Sequence, residues 1–256
     1  MPALSLSTFP SLLLRHRDLT LRLAEDDEDR RACYRLRFQV FNVELGEGLD
    51  DVLSTGEDYD AFDPVCDHLL VQHELTGLVV GTYRLQSGVT AALHHGYYSE
   101  QEFDFSPFEA LRDQTVELGR ACIHPEFRTY DTLNLLWHGI SRYVHDRGGR
   151  YLIGCSSLHS QDVAEGWAML DRLKEHLAPI RLQTRPTLAY QMPSPASPWH
   201  GDLPEPPKLL RMYLMLGADI CGEPAIDRQF KTIDFLTLLD LDRLAPSFRS
   251  RYLKKS

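Results

Sequence analysis

The stretch Thr115–Asn134, TVELGRACIHPEFRTYDTLN, decides the reading of this chain. Val116, Leu118, Cys122 and Ile123 make an apolar, strand-favouring run that no proline breaks before Pro125. From about Asp131, the residues Leu133, Leu136, Trp137 and Ile140 recur at helical spacing. A strand therefore leads directly into a helix N-terminus, where ligands gather in open α/β sheets. Glu117 and Arg120 interrupt the apolar run. A buried charge is costly unless it is paired or used. The two residues are thus either an ion pair that fixes register or part of a site. Three positions apart in a regular strand, they would face opposite ways. A bulge at Gly119 would bring both to one face, and that bulge is expected here.

Upstream of this stretch, Cys66–His73 and Leu78–Leu85 read as a hairpin joined by Leu-Thr-Gly. Arg84 again places a charge inside an apolar strand. Before the hairpin, Leu19–Leu23 alternates as a short strand, and a helix is expected from about Glu28 to Leu45, stopped by Gly46. That helix has a wide apolar face, with Arg37 on its edge one turn before Phe41. The plainer reading of Arg37 is a snorkelling surface arginine. The loop Glu47–Pro64 is acid-rich and long for a connector. Within it, Asp60 and Asp63 do not fit a calcium loop; they suit a solvated turn or a lip for an ammonium group. Tyr97, Tyr98, Phe103 and Phe105 form an aromatic patch, followed by a short helix near Phe108–Leu111.

Downstream, Tyr151–Ser156 reads as a buried strand, Asp162–Leu177 as a helix and Arg185–Tyr190 as a strand. Met192–Lys208 carries six prolines and reads as an extended linker. A short helix at Leu209–Leu216 and a strand near Ile233–Leu239 complete the pattern. The expected class is α/β with a mixed sheet and helices on both faces. Residues 1–17 are expected to be a flexible arm, 18–192 the core, and 193–256 a linker and C-terminal extension packed on it.

The chain has 256 residues, with 27 basic and 37 acidic side chains and a net charge of −10, which argues against nucleic acid as the main partner. Its five scattered cysteines suggest reduced thiols in a cytoplasmic setting and no zinc site. Leu12–Leu14 is too short an apolar run to span a bilayer and follows no basic segment, so no signal peptide is expected.

Several segments carry a resemblance: RLRFQVF, YDAFDPVCDHLLV, VVGTYRL, GYYSEQEFDF, VELGRACIHPEFR and KLLRMYLMLGADICGEPAID with DFLTLLD. Together they resemble the acyl-carrier-protein-dependent N-acyltransferases with a GNAT-like acyltransferase fold, of the ornithine N-alpha-acyltransferase type. Homoserine-lactone autoinducer synthases and long-chain N-acyl amino acid synthases are cousins. The resemblance implies transfer of a (3-hydroxy)fatty acyl group from an acyl carrier protein thioester to the α-amine of an amino acid, ornithine foremost. That would be the first step of aminolipid synthesis. It implies Glu117 and Arg120 as catalytic residues, and Arg37, Phe41, Asp60, Asp63 and Arg84 as substrate-binding residues. The mechanism adds the Ala121 or Cys122 backbone N–H as oxyanion donor, and an acyl slot lined by Phe41, Phe103, Phe105 and Trp137. An acidic carrier protein needs a local basic face, for which Arg128, Arg142, Arg147 and Arg150 are the candidates. No tightly bound cofactor or metal is implied, and peripheral contact with the inner membrane fits a lipid product. Competing readings are an autoinducer synthase, an acyltransferase for glycine or another amino acid, and a non-catalytic acyl-chain or carrier-protein binding module. One departure is notable: the turn Arg128–Thr132 lacks the glycines that cradle a pyrophosphate, which favours a phosphopantetheine donor over coenzyme A.

Overall fold

The computed structural model of the chain describes residues 13–252. Its strands are β1 (Leu13–His16), β2 (Leu19–Leu23), β3 (Asp67–His73), β4 (Val79–Ser87), β5 (Thr115–Ile123), β6 (Tyr151–Leu158), β7 (Asp219–Ile220), β8 (Ala225–Asp227) and β9 (Thr232–Asp240). Among the described residues they form one sheet in the order β1-β2-β3-β4-β5-β6-β9-β7, with β8 also on β9. Every pairing is antiparallel except β5 with β6. That parallel pairing is short, from Thr115↔Tyr151 to Glu117↔Ile153, and beyond Glu117 the two strands part.

The helices are α1 (Asp27–Phe38), α2 (Gly88–Leu93), α3 (Tyr130–Asp146), α4 (Val163–Leu173), α5 (Lys208–Met215) and α6 (Pro246–Tyr252). The Asp26 carboxylate caps α1 by accepting the Asp29 N–H at 2.9 Å. The helix expected over Glu28–Leu45 continues past Phe38 as a wider turn, Gln39–Glu44, and Gly46 follows at a φ of +68°. Strand alternation then sorts the side chains. Tyr83, Leu85, Val116, Leu118 and Leu152 pack towards α3 with Leu136, Ile140 and Val144. Thr82, Arg84, Glu117 and Cys122 belong to the opposite face, where α1 brings Cys33 and Leu36 and the wider turn after it brings Val40. At Gly139 of α3, a Cβ would meet Leu21 and Leu69 at 2.8 Å, so the glycine sets how closely the helix approaches the sheet.

Three expectations change. Leu13–His16, assigned to the arm, form an edge strand on β2; residues 1–12 lie outside the described residues. Arg185–Tyr190 is not a strand: isolated bridges at Thr184 and Pro186 and a turn at Thr187–Tyr190 take its place, as Pro186 interrupts any ladder. The C-terminal segment is more than an extension. β9 pairs with β6 from Tyr151↔Asp240 to Leu158↔Ile233, deep inside the sheet. Its apolar run TIDFLTLLD is buried almost throughout, as an interior strand must be. The proline-rich stretch up to Pro207 carries no helix or strand after Met192.

Candidate active site

The expected bulge exists, one residue on. Thr82 faces Cys122 and Arg84 faces Gly119, so Tyr83 opposes both Arg120 and Ala121. Arg120 takes the left-handed conformation there, with a φ of +49°. An arginine in that region is strained, and strain of this kind persists where the surroundings fix it. The extra residue turns Arg120 to the same side of the sheet as Glu117, and the Tyr98 region meets both.

Glu117 is buried and does not pair with Arg120 within ion-pair distance. Its carboxylate accepts the backbone N–H groups of Tyr98 and Ser99, each at 2.9 Å, and the Ser99 hydroxyl. It thereby anchors the short turn Tyr98–Gln101 to β5. Burial pushes its pKa above the ordinary carboxylate value, against the pull of the Ser99 donors and the Arg84 charge.

Arg120, Arg84 and Arg37 form a cage with three aspartates of the 47–64 loop. Arg37 is 1% exposed; its Nη1 and Nη2 reach Asp63 at 2.7 and 2.9 Å and its Nε reaches Asp58 at 2.7 Å. Arg84 Nη1 donates to Asp60 at 2.7 Å and to Asp63 at 3.3 Å. Arg120 Nη2 donates to Asp60 at 2.9 Å, and its Nε lies 3.4 Å from Asp58 without a hydrogen-bonding angle. The Tyr98 ring lies under both Arg84 and Arg120, at 5.1 and 4.8 Å. Burial acts to raise Asp63, yet the Arg37 and Arg84 guanidiniums overcome it and hold the carboxyl below its ordinary range. The same contest at Asp60, with Arg84 and Arg120, ends the same way.

A cavity of about 770 Å³ opens where β5 and β6 part. It reaches both faces of the sheet. On one face it is lined by Arg84, Tyr98, Ser99, Glu117 and Arg120, and on the other by Leu118, Leu133, Leu152, Met212, Ala218 and Leu239. Gly154 marks the fork: a Cβ there would sit 2.2 Å from the Leu118 carbonyl oxygen.

The cavity tests the expected site residues by position. Phe41, Arg84, Glu117, Arg120, Ala121 and Cys122 line it. Arg37, Asp60 and Asp63 do not; they hold one another and fix the two lining arginines. The two carboxylates are engaged by arginines: Asp63 accepts Arg37 in bidentate fashion, and Asp60 accepts one bond each from Arg84 and Arg120. Asp58, fully buried in the cage, was not singled out from the sequence. Phe103 and Phe105 pack with Tyr97 and Phe108 away from the cavity, and Trp137 packs against Tyr213 and Phe248. Each arginine of the expected basic face has an acidic partner. Arg128 is bidentate with Glu44, Arg142 pairs with Asp146, Arg147 with Asp67, and Arg150 with Asp240. Of these four, Arg128 alone lines the cavity. The cavity also holds a second acidic group, of which Asp234 is marked in the sequence by its place inside the apolar run TIDFLTLLD. Glu102, Asp227 and Asp234 converge in the cavity with carboxylate oxygens within 4.8 Å of one another.

Residues 36–138 match the model of the acetyltransferase (GNAT) domain. Over 246 residues the chain is 32% identical to an L-ornithine N(alpha)-acyltransferase of Rhodobacter capsulatus, covering 92% of this chain and 95% of that protein. The chain belongs to the L-ornithine N(alpha)-acyltransferase family. A second member, from Agrobacterium fabrum, is 33% identical over 248 residues, covering 91% of this chain and 85% of its own length. Among solved structures, the N-acyl amino acid synthase FeeM from uncultured soil microbes shares the fold at a TM-score of 0.55 and 12% identity, covering 92% of this chain and 96% of that one. TofI, solved with an inhibitor and MTA, shares it at a TM-score of 0.51 and 13% identity, covering 92% and 97%. This acyltransferase thus has a GNAT core whose sheet is completed by its own C-terminal strands. Among the described residues, no helix is long and apolar enough to cross a membrane.

Proposed function

We propose that this family member transfers a fatty acyl group from an acyl carrier protein thioester to the α-amine of ornithine. The cavity carries this reading. It joins an apolar chamber to a polar one through the fork between β5 and β6, so an acyl chain and an amino acid can meet at the gap. The acyl chain lies along Leu118, Leu133, Leu152 and Met212, and the thioester carbonyl reaches the bulge.

An α-amino group has an ordinary pKa of about 8, so a modest base suffices to free its lone pair. Glu117 is that base, directly or through one water; its burial raises its proton affinity in the useful direction. The amine nitrogen bonds to the carbonyl carbon, its proton passes to Glu117, and the C–S bond breaks as that proton is handed on to the departing sulfur, releasing the carrier thiol and restoring the carboxylate. The Ala121 N–H is the better oxyanion donor of the two expected. His124 donates to the Val80 carbonyl at 2.9 Å, and ladder alternation then turns Cys122 N–H towards β4 and Ala121 N–H towards the gap. Arg120 and Arg84 hold the acceptor carboxylate.

A carrier protein is favoured over coenzyme A by the start of α3. The Thr129 hydroxyl accepts the Thr132 N–H at 3.3 Å, so this helix end is capped by its own side chain, and Asp131 nearby pairs with Arg17. Of the four expected arginines Arg128, itself paired with Glu44, is the one that lines the cavity, and with Lys208 it supplies positive charge where the cavity meets the surface. Incubation with 3-hydroxyacyl carrier protein and a panel of amino acids, followed by mass spectrometry, tests the reading. N-acylornithine is expected; no acylated product from any amine would overturn it.

A further inference from the structure

Glu102, Asp227 and Asp234 come from three separate places: the end of the Tyr98–Gln101 turn, β8 and β9. They are 1%, 2% and 3% exposed, yet all three line the cavity. The contrast with Asp58, Asp60 and Asp63 is sharp, since each of those has a guanidinium within 4 Å. Among the described residues, no ion pair is formed by Glu102, Asp227 or Asp234. Asp227 Oδ1 accepts the N–H groups of Gln229 and Phe230, each at 2.8 Å, and Asp234 Oδ2 accepts the Thr232 hydroxyl at 3.1 Å. Cys155 Sγ donates to Glu102 Oε2 at 3.6 Å, but among the described residues Glu102 Oε1 and Asp234 Oδ1 are buried without a donor in hydrogen-bonding geometry. A buried acceptor left in that state is costly, and native proteins keep few of them without a use.

We propose that this trio is the subsite for the side-chain ammonium of a diamino-acid acceptor; the proposal rests on the acyl-transfer reading above and adds the origin of its specificity. An alkylammonium offers three N–H donors and one positive charge, which three converging carboxylates satisfy. The reacting α-amine belongs elsewhere. It must lose its proton to attack, and three carboxylates would keep it charged. Glu102 hangs from the same short turn whose Tyr98 and Ser99 N–H groups hold Glu117, so the acidic trio and the base share one rigid support. Burial lifts the pKa of Glu102 well above the ordinary carboxylate value and that of Asp234 to about 6, with the neighbouring Asp227 carboxylate acting in the same direction on both.

The test compares L-ornithine with L-norvaline, which has the same carbon chain without the terminal amine. Wild-type protein should favour ornithine in kcat/KM by at least about 100-fold, as sites built around a buried polar contact do. Glu102→Gln and Asp234→Asn should each cut that ratio at least about tenfold. A ratio unchanged in both variants, or a wild-type ratio near one, would overturn the proposal. Activity abolished by a chelator and restored by a divalent cation would overturn it too, since the trio would then hold a metal. Donor-free calorimetric titration separates this from the acyl-transfer reading. Ornithine binding that norvaline lacks, and that Glu102→Gln weakens, supports the subsite even if no amine is acylated. No difference in binding between the two amino acids sinks it.

Discussion

Glu117 has two duties in one carboxylate: it anchors the turn at Tyr98 and Ser99, and it faces the cavity. Glu117→Gln presents an amide nitrogen to one of three donors, so it should cost about 1–3 kcal/mol in urea unfolding. It should also lower kcat at least about 100-fold. Turnover within twofold of wild type would remove Glu117 as base. Arg37 is different, since it does not line the cavity; it holds Asp58 and Asp63 and lies against the Tyr34 ring. Arg37→Ala leaves Asp58 and Asp63 buried without their partner and should destabilise by about 3–5 kcal/mol, with little effect on the KM for ornithine. A stability within 1 kcal/mol of wild type, on the order of a surface pair's worth, would contradict the cage. Charge inside apolar sequence made Glu117, Arg120 and Arg84 legible. Asp234, inside TIDFLTLLD, carries the same signal. Glu102 and Asp227 carried none, because each alone is an ordinary acid beside a turn.

The bulge and the fork are properties of strands. Arg120 pays a conformational cost at a φ of +49° that glycine would not. Arg120→Gly and Arg120→Ala both remove the ion pair to Asp60, but only alanine keeps the strain. The glycine variant should therefore be more stable than the alanine variant by about 1 kcal/mol, measured by denaturant titration. Equal stabilities would argue against a strained bulge. The need for a bulge was readable, because Glu117 and Arg120 could share a face in no other way. Its position one residue beyond Gly119 was set by the pairing of β4, which only the ladder reveals.

For the molecule as a whole, pH separates its two acidic groups. An unfolded aspartate titrates near 3.9. Asp234, held at about 6, binds its proton more tightly when folded, so this group's destabilising effect develops as pH rises through that window and is complete above it. Facing it are Glu102, Asp227, Tyr98, Cys155, Tyr190 and His159; Glu102, also raised, acts in the same sense. Asp60 and Asp63 are lowered, so their stabilisation is present above about 4 and lost as pH falls. The unliganded protein should have its highest melting temperature near pH ~5. Ornithine should raise the melting temperature more at pH ~7.5 than at pH ~5, because protons compete with the ammonium for the trio. An equal rise at both would dissociate ornithine from these carboxylates.

By itself the sequence determined the β3–β4 hairpin, the strand-to-helix unit at its centre and the misplaced charges on it. Those follow from local patterns of polarity and from the price of burying charge. Only the tertiary structure decided which acids met which arginines. Three aspartates close in sequence found guanidiniums and became structural, whereas three acids spread from Glu102 to Asp234 met in a cavity with no cation of their own. That choice depends on β9 lying beside β6, a long-range pairing whose partner no local pattern names.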